Sequence, residues 1–142
     1  MRGFEILKEY EGRGIKLPTR KTAFSAGYDL EAAENILVSR KKISLVPTGL
    51  KAFMLPDEVL LIHIRSSLAV KYGLTLANSV GVIDADYQDH ILLPMISLGD
   101  DYEIKKGMRV AQGIFQKYLT VDGDKIGVGE KRFGRFGSTG EF

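Results

Sequence analysis

The chain contains no cysteine. That excludes a disulfide framework, thiolate nucleophiles and zinc-thiolate sites. Only two histidines occur, His63 and His90, so a histidine-rich metal centre is out and a Ser-His-Asp triad has few candidates. No run reaches the ~18 apolar residues that would span a bilayer, and the start, Met1-Arg2-Gly3-Phe4-Glu5, lacks the apolar stretch of a signal peptide. An intracellular protein is expected. Net charge is only +2, too small to argue for nucleic acid or an anionic membrane as a partner, although a few local cations could still hold a small anionic molecule. Helical periodicity is scarce, and no internal repeat is visible.

What is present is an ordinary globular composition, 44% hydrophobic and 27% charged over 142 residues, enough for one domain with its own core. Apolar and β-branched runs recur with turn signals every 8–12 residues. Candidate strands are Phe4 to Lys8, Ala26 to Leu30, Asn35 to Val38, Ile43 to Phe53, Val59 to Ile64, Leu74 to Ile83, His90 to Ser97, Tyr102 to Ile104 and Arg109 to Tyr118. This density predicts an all-β sandwich or barrel. Ser66 to Lys71 reads as one short helix with a serine cap, ended by Gly73.

The stretch from Asn78 to His90 concentrates the chemistry. Val80, Val82 and Ile83 flank Gly81, where a backbone or ligand can approach closely. Asp84, Asp86 and Tyr87 follow at a turn before Ile91-Leu92-Leu93. The pattern reads as a β-hairpin with acids near its tip, and the acids serve equally well as turn-formers or as reactive carboxylates. Arg65-Ser66-Ser67 offers a guanidinium, hydroxyls and helix-terminal amides to an anion, or is a helix cap with a surface arginine. Gln112 can donate to a phosphate oxygen, or is a core amide satisfied by backbone. Asp29 is a turn acid or a carboxylate near a metal. His63 reads as a strand residue and Arg40 to Lys42 as a solvated turn. Residues 127–142 carry five glycines with Phe133, Phe136 and Phe142. That tail has too little apolar surface to fold alone, and its Phe-Gly-Ser-Thr-Gly ending suits a segment that orders over a ligand. Together these stretches fit metal-assisted attack of water on a polyphosphate.

In order along the chain, Ala26-Gly27-Tyr28-Asp29-Leu30, Arg65-Ser66-Ser67-Leu68-Ala69, Gly81-Val82-Ile83-Asp84-Ala85-Asp86-Tyr87, Gly107-Met108-Arg109-Val110-Ala111-Gln112 and Phe136-Gly137-Ser138-Thr139-Gly140 resemble the five motifs of the homotrimeric deoxyuridine triphosphatases (dUTP diphosphatases). The resemblance runs from Pro18 to Gly140. It implies a β-clip, jelly-roll-like core over 1–126, a flexible arm over 127–142, and a trimer with active sites shared between subunits. It implies dUTP as substrate, Mg²⁺ as cofactor and dUMP with pyrophosphate as products. It makes Asp84 the general base. Asn78 and the main chain of Val82, Ile83 and Asp84 would bind uracil, and Tyr87 would lie against the deoxyribose. Arg65, Ser66, Ser67 and Gln112 would hold phosphates, and Asp29 would reach the metal through water. Phe136 would cap the uracil from a third subunit, with Gly137, Ser138 and Thr139 at the γ-phosphate. Asp86 falls back to a turn role.

The sequence departs from the family at four places. Ser67 and Asp89 stand where glycines are usual. Arg135 replaces one of two paired glycines. Either Lys131 or Arg132 is spaced to meet the γ-phosphate. The related dCTP deaminases share the fold and often the Arg-Ser-Ser-Leu-Ala run, but they carry a glutamate where Pro94 stands here, and proline cannot move protons. A further alternative is a diphosphatase with an added regulatory protein-binding role.

Overall fold

The computed structural model describes residues 1–129, Arg132, Phe136, Gly140 and Glu141. Twelve strands and one short helix occur among them, in the order β1 (Gly3–Ile6), β2 (Thr19–Arg20), β3 (Tyr28–Glu31), β4 (Ile36–Val38), β5 (Ser44–Pro47), β6 (Leu50–Phe53), β7 (Glu58–Ile64), α1 (Ser66–Tyr72), β8 (Leu74–Leu76), β9 (Gly81–Asp84), β10 (Leu92–Ser97), β11 (Tyr102–Ile104) and β12 (Arg109–Lys117). The all-β expectation and the single helix hold. Arg65 rather than a serine occupies the helix N-cap, with no side-chain cap bond, and Gly73 closes the helix in the left-handed region.

The largest sheet runs β2-β3-β12-β7-β9, and a second runs β5-β10-β8. The pairs β1-β6 and β4-β11 complete the ladders. Leu30, Leu60, Ile62, Leu93, Met95, Ile104 and Val110 are fully buried between these layers. Alternation along β10, with Leu93, Met95 and Ser97 inward, is the period-two signature of a strand with one buried face. The predicted strand Ile43 to Phe53 divides at Thr48-Gly49, where Gly49 takes φ +72° and its N–H donates to Nε2 of buried His90 at 2.8 Å. This bond ties the β5–β6 turn to the segment that leads into β10. Tyr10 packs edge-on against the imidazole at 5.1 Å.

The predicted hairpin around Asp84 is different in space. β9 pairs with β7, while β10 pairs with β5 and β8. The two strands flanking the acids therefore belong to different sheets and part from each other. A local turn signal specifies the reversal of the chain, but ladder partners are chosen by burial against distant strands.

The amino terminus is fastened by charge. Arg2 donates from Nε and Nη2 to Oε2 of Glu58 at 2.8 and 2.5 Å, and the Leu55 amide donates to Oε1 at 2.9 Å. The Arg2 hydrogen bond first, then the Leu55 amide, holds the Glu58 carboxyl below its ordinary 4.5. A depressed acid stabilises the fold fully above its unfolded value and loses that contribution as pH falls through the folded one. Thermal melts of wild type should therefore lose Tm more steeply below pH 4.5 than melts of Glu58→Gln. Parallel curves would show that the carboxylate contributes nothing.

Candidate functional site

The parting of β9 from β10 opens a cavity of about 300 Å³. Gly81, Val82 and Ile83 line it from β9, and Leu92, Leu93 and Pro94 line it from β10, with Asn78 at the mouth and Tyr87 inside. β9 is the outermost strand of its sheet, so the main-chain groups on its far edge lie outside the ladders and suit a planar ring with donors and acceptors on its rim. Gly81 is required by packing, since a Cβ there would stand 3.2 Å from Cβ of Ile62. Tyr87 is buried and its hydroxyl donates to the His90 carbonyl at 2.7 Å, which fixes the ring as a rigid wall. The chain turns into β9 through Ser79, the one non-glycine residue with positive φ (59°) among those described. Asp89 is not in that region. Its carboxylate instead accepts the His90 amide at 2.7 Å, so a glycine is not needed there.

Asp84 ends β9, half-exposed, directly after the cavity-lining Ile83. Arg132 bridges it to Asp86: the guanidinium pairs with Asp84 Oδ2 and donates from Nε to Asp86 Oδ1 at 3.1 Å. The guanidinium carbon also lies 5.8 Å from the centre of the Tyr87 ring. Arg132 and Phe136 both line the cavity. Asp86 thus has a partner that a turn role did not foresee. Arg132 further borders a second cavity of about 440 Å³ behind the acids. Lys131, Phe133, Arg135, Gly137, Ser138, Thr139 and Phe142 lie outside the described residues.

A second constellation forms at the other end of β7. Gln112 of β12 stands opposite His63 of β7 and Asp29 of β3. Arg65 follows β7 directly, half-buried, and donates from Nη1 to the Arg109 carbonyl at 3.2 Å. Arg109 pairs with Asp29 at 3.3 Å, reached across a register shift between Arg109 and Ala111 of the kind that re-aims strand side chains. Ser66 is exposed and Ser67 half-buried on the first turn of α1. Gln112 lies over Gly27 so closely that a Cβ there would meet Oε1 at 2.5 Å, which explains the glycine. Sequence reasoning passed over Arg109, whose placement within an apolar strand was the available signal.

The two constellations do not meet within one chain. Asp84 pairs with Val59, whereas Gln112 pairs with His63 and Arg65 follows Ile64. Five residues of strand from Val59 to Ile64 span roughly 17 Å at about 3.3 Å per residue. A base acts within about 3 Å of its proton, or through one water. Asp84 and the Arg65–Gln112 corner thus stand toward opposite ends of β7 in one copy.

For a metal, no group of three or more His, Asp or Glu converges among the described residues. Mg²⁺ characteristically keeps its waters and takes one or two carboxylates plus substrate phosphates. Asp29, partly exposed at the corner with Gln112, suits that outer role. Among the described residues no helix is long and apolar enough to cross a membrane.

A family model described as dUTPase matches residues 13–140. The chain is 48% identical to the deoxyuridine 5'-triphosphate nucleotidohydrolase of Lactococcus lactis, over 99% of this chain and 98% of that protein. It is 44% identical to that of Rickettsia felis, over 94% and 95%. Among solved structures, a dUTPase from Streptococcus mutans superposes with TM-score 0.80 at 45% identity, covering 85% of this chain and 99% of the other. A phage phi11 dUTPase, described with a structural Mg(II) ion, has TM-score 0.76 at 18% identity over 90% and 97%, a likeness of fold.

Proposed function

Because the chain belongs to the dUTPase family, we propose that it hydrolyses dUTP to dUMP and pyrophosphate through a water activated by Asp84. The observation that supports this reading is the cavity between β9 and β10, with Asp84 following its lining residue Ile83 and Arg132, paired to Asp84, bordering it. Uracil enters between the parted strands, bonded by Asn78 and the main chain of Val82, Ile83 and Asp84. The narrow gap rejects the thymine methyl, and the main-chain pattern mismatches the cytosine amino group. The Tyr87 ring, fixed by its bond to His90, packs on the deoxyribose and leaves no room for a 2′-hydroxyl. Pro94 on the cavity wall offers no proton carrier, which disfavours deamination.

The α-phosphorus then faces Asp84. The carboxylate takes a proton from water, the hydroxide oxygen bonds to phosphorus, and the bond to the bridging oxygen breaks to release pyrophosphate. Arg132 pairs with Asp84, where a guanidinium competes with a water for the carboxylate. It therefore transfers to the incoming triphosphate, whose charge competes with the two carboxylates. Arg65, Ser66, Ser67 and Gln112 hold the phosphates, with Arg109 keeping Asp29 in place. Asp29 would hold Mg²⁺ through water, and the ion would neutralise phosphate charge as pyrophosphate departs. Since base and phosphate corner lie far apart in one copy, each site combines two chains, and the family's trimer is the assembly proposed. The reaction removes dUTP from the cell's nucleotide pool and supplies dUMP.

Pyrophosphate release from dUTP, dCTP, dTTP and UTP, measured side by side with Mg²⁺, tests the reading. dUTP should exceed each of the others by at least about 100-fold, the scale on which a polar-edge pocket rejects a mismatched analogue. Equal rates on dUTP and dTTP would refute the pocket, and faster turnover of dCTP would reinstate the deaminase relatives.

A further inference from the structure

A wall that discriminates by shape must not yield, so the residues that fix the Tyr87 ring matter as much as the ring. The Tyr87 hydroxyl donates to the carbonyl of His90 at 2.7 Å, and both residues are buried. That carbonyl belongs to the His90–Ile91 peptide, whose N–H donates in turn to the Leu50 carbonyl at 2.8 Å. One rigid peptide plane thus joins the tyrosine to the turn between β5 and β6. Thr48 Oγ1 of the same turn donates to the Ile91 carbonyl at 2.7 Å.

The His90 side chain closes the clamp. Its Nε2 accepts the buried Gly49 amide at 2.8 Å, and the Tyr10 ring backs the imidazole. Gly49 admits that ring because a Cβ there would stand 3.0 Å from Cδ1 of Tyr10. On the other side the His90 amide donates to Oδ1 of Asp89 at 2.7 Å, the acid that stands where the family usually has glycine. A buried amide that loses its acceptor is costly, so the turn shifts to find another. The Leu50 carbonyl shifts with it, and the peptide that holds Tyr87 follows.

Resting on the diphosphatase reading above, we propose that His90 is the positioning residue for sugar discrimination. By accepting the Gly49 amide it holds the clamp that keeps Tyr87 rigid against a 2′-hydroxyl. His90 does not line the cavity itself and acts through Tyr87.

The readout is the ratio of kcat/KM for dUTP to kcat/KM for UTP, which a smaller folded fraction leaves unchanged because both substrates meet the same molecules. His90→Leu keeps much of the bulk and removes the acceptor. Its ratio should fall at least about tenfold, within the range over which a shaped pocket rejects one added group, chiefly through faster turnover of UTP. His90→Gln, whose amide oxygen can still accept from Gly49, should restore most of the ratio. Tyr87→Phe, which cuts the bond to the His90 carbonyl, should lower the ratio to a similar extent. Adding His90→Leu to Tyr87→Phe should then change little, since residues that act through one chain of contacts are not additive. An unchanged ratio in His90→Leu overturns the inference, and so do independent losses that multiply in the double variant. Should His90→Leu yield no folded protein, the other variants decide: a full ratio in Tyr87→Phe, or a lost one in His90→Gln, overturns it. Wild-type protein inert on dUTP sinks the diphosphatase reading instead, a result distinct from any change in ratio among the variants.

Discussion

Replacing Asp84 with asparagine is expected to lower kcat for dUTP about 10³-fold, within the 10²–10⁴ that a general base contributes, while binding of a non-hydrolysable dUTP analogue changes little. The side chain keeps its size and both hydrogen-bonding positions at the end of β9, and Val59 still pairs with the same backbone. The amide cannot accept a proton from water near neutral pH. The cavity that would bind the base is built from other residues, and Arg132 keeps Asp86 as a partner. Loss should therefore fall on kcat rather than on affinity, the pattern of an interaction made only in the transition state. Steady-state pyrophosphate release with calorimetric binding of the analogue separates the two. A variant within tenfold of the wild-type kcat would remove Asp84 from the role.

Two inactive proteins should restore each other. Asp84→Asn lacks the base, and Arg65→Ala lacks a phosphate ligand at the far end of β7. If each site takes its base from one copy and its phosphate corner from the next around a closed ring of three, one site in three of every mixed trimer has both intact, and isolated hybrids should return to about a third of wild type. The magnitude is large because each parent starts orders of magnitude down. The physical ground is the roughly 17 Å of strand between Val59 and Ile64, which no side chain bridges. Hybrids as inactive as their parents would mean that base and corner serve the same copy. The phosphates would then have to be held by other groups.

Much of this was legible along the chain. Alternating apolar residues and turn chemistry are local properties, so the strands at β7, β10, β11 and β12 and the helix α1 could be placed from their own residues. Gly81 marked a close approach because only the absence of a side chain permits one, and its neighbour is Ile62. The acids, the Arg-Ser-Ser run and Gln112 could be singled out along the chain because together they have the chemistry to handle a polyphosphate. What their order could not convey was who pairs with whom. Asn78 to His90 reads as a hairpin in either outcome, whether its flanking strands bond or part. That choice is made by β7 on one side and by β5 and β8 on the other, strands remote in sequence whose burial outweighs the local turn. Contacts across the fold likewise seat His90 against Gly49 and Arg132 against Asp86. It also sets Asp84 and Gln112 at opposite ends of one strand. Residue types and local periodicity determined that this is an all-β protein with the groups for cleaving a nucleoside triphosphate. Only the tertiary structure decided that β9 and β10 part to leave a cavity between two sheets, and that Asp84 and Gln112 stand toward opposite ends of β7.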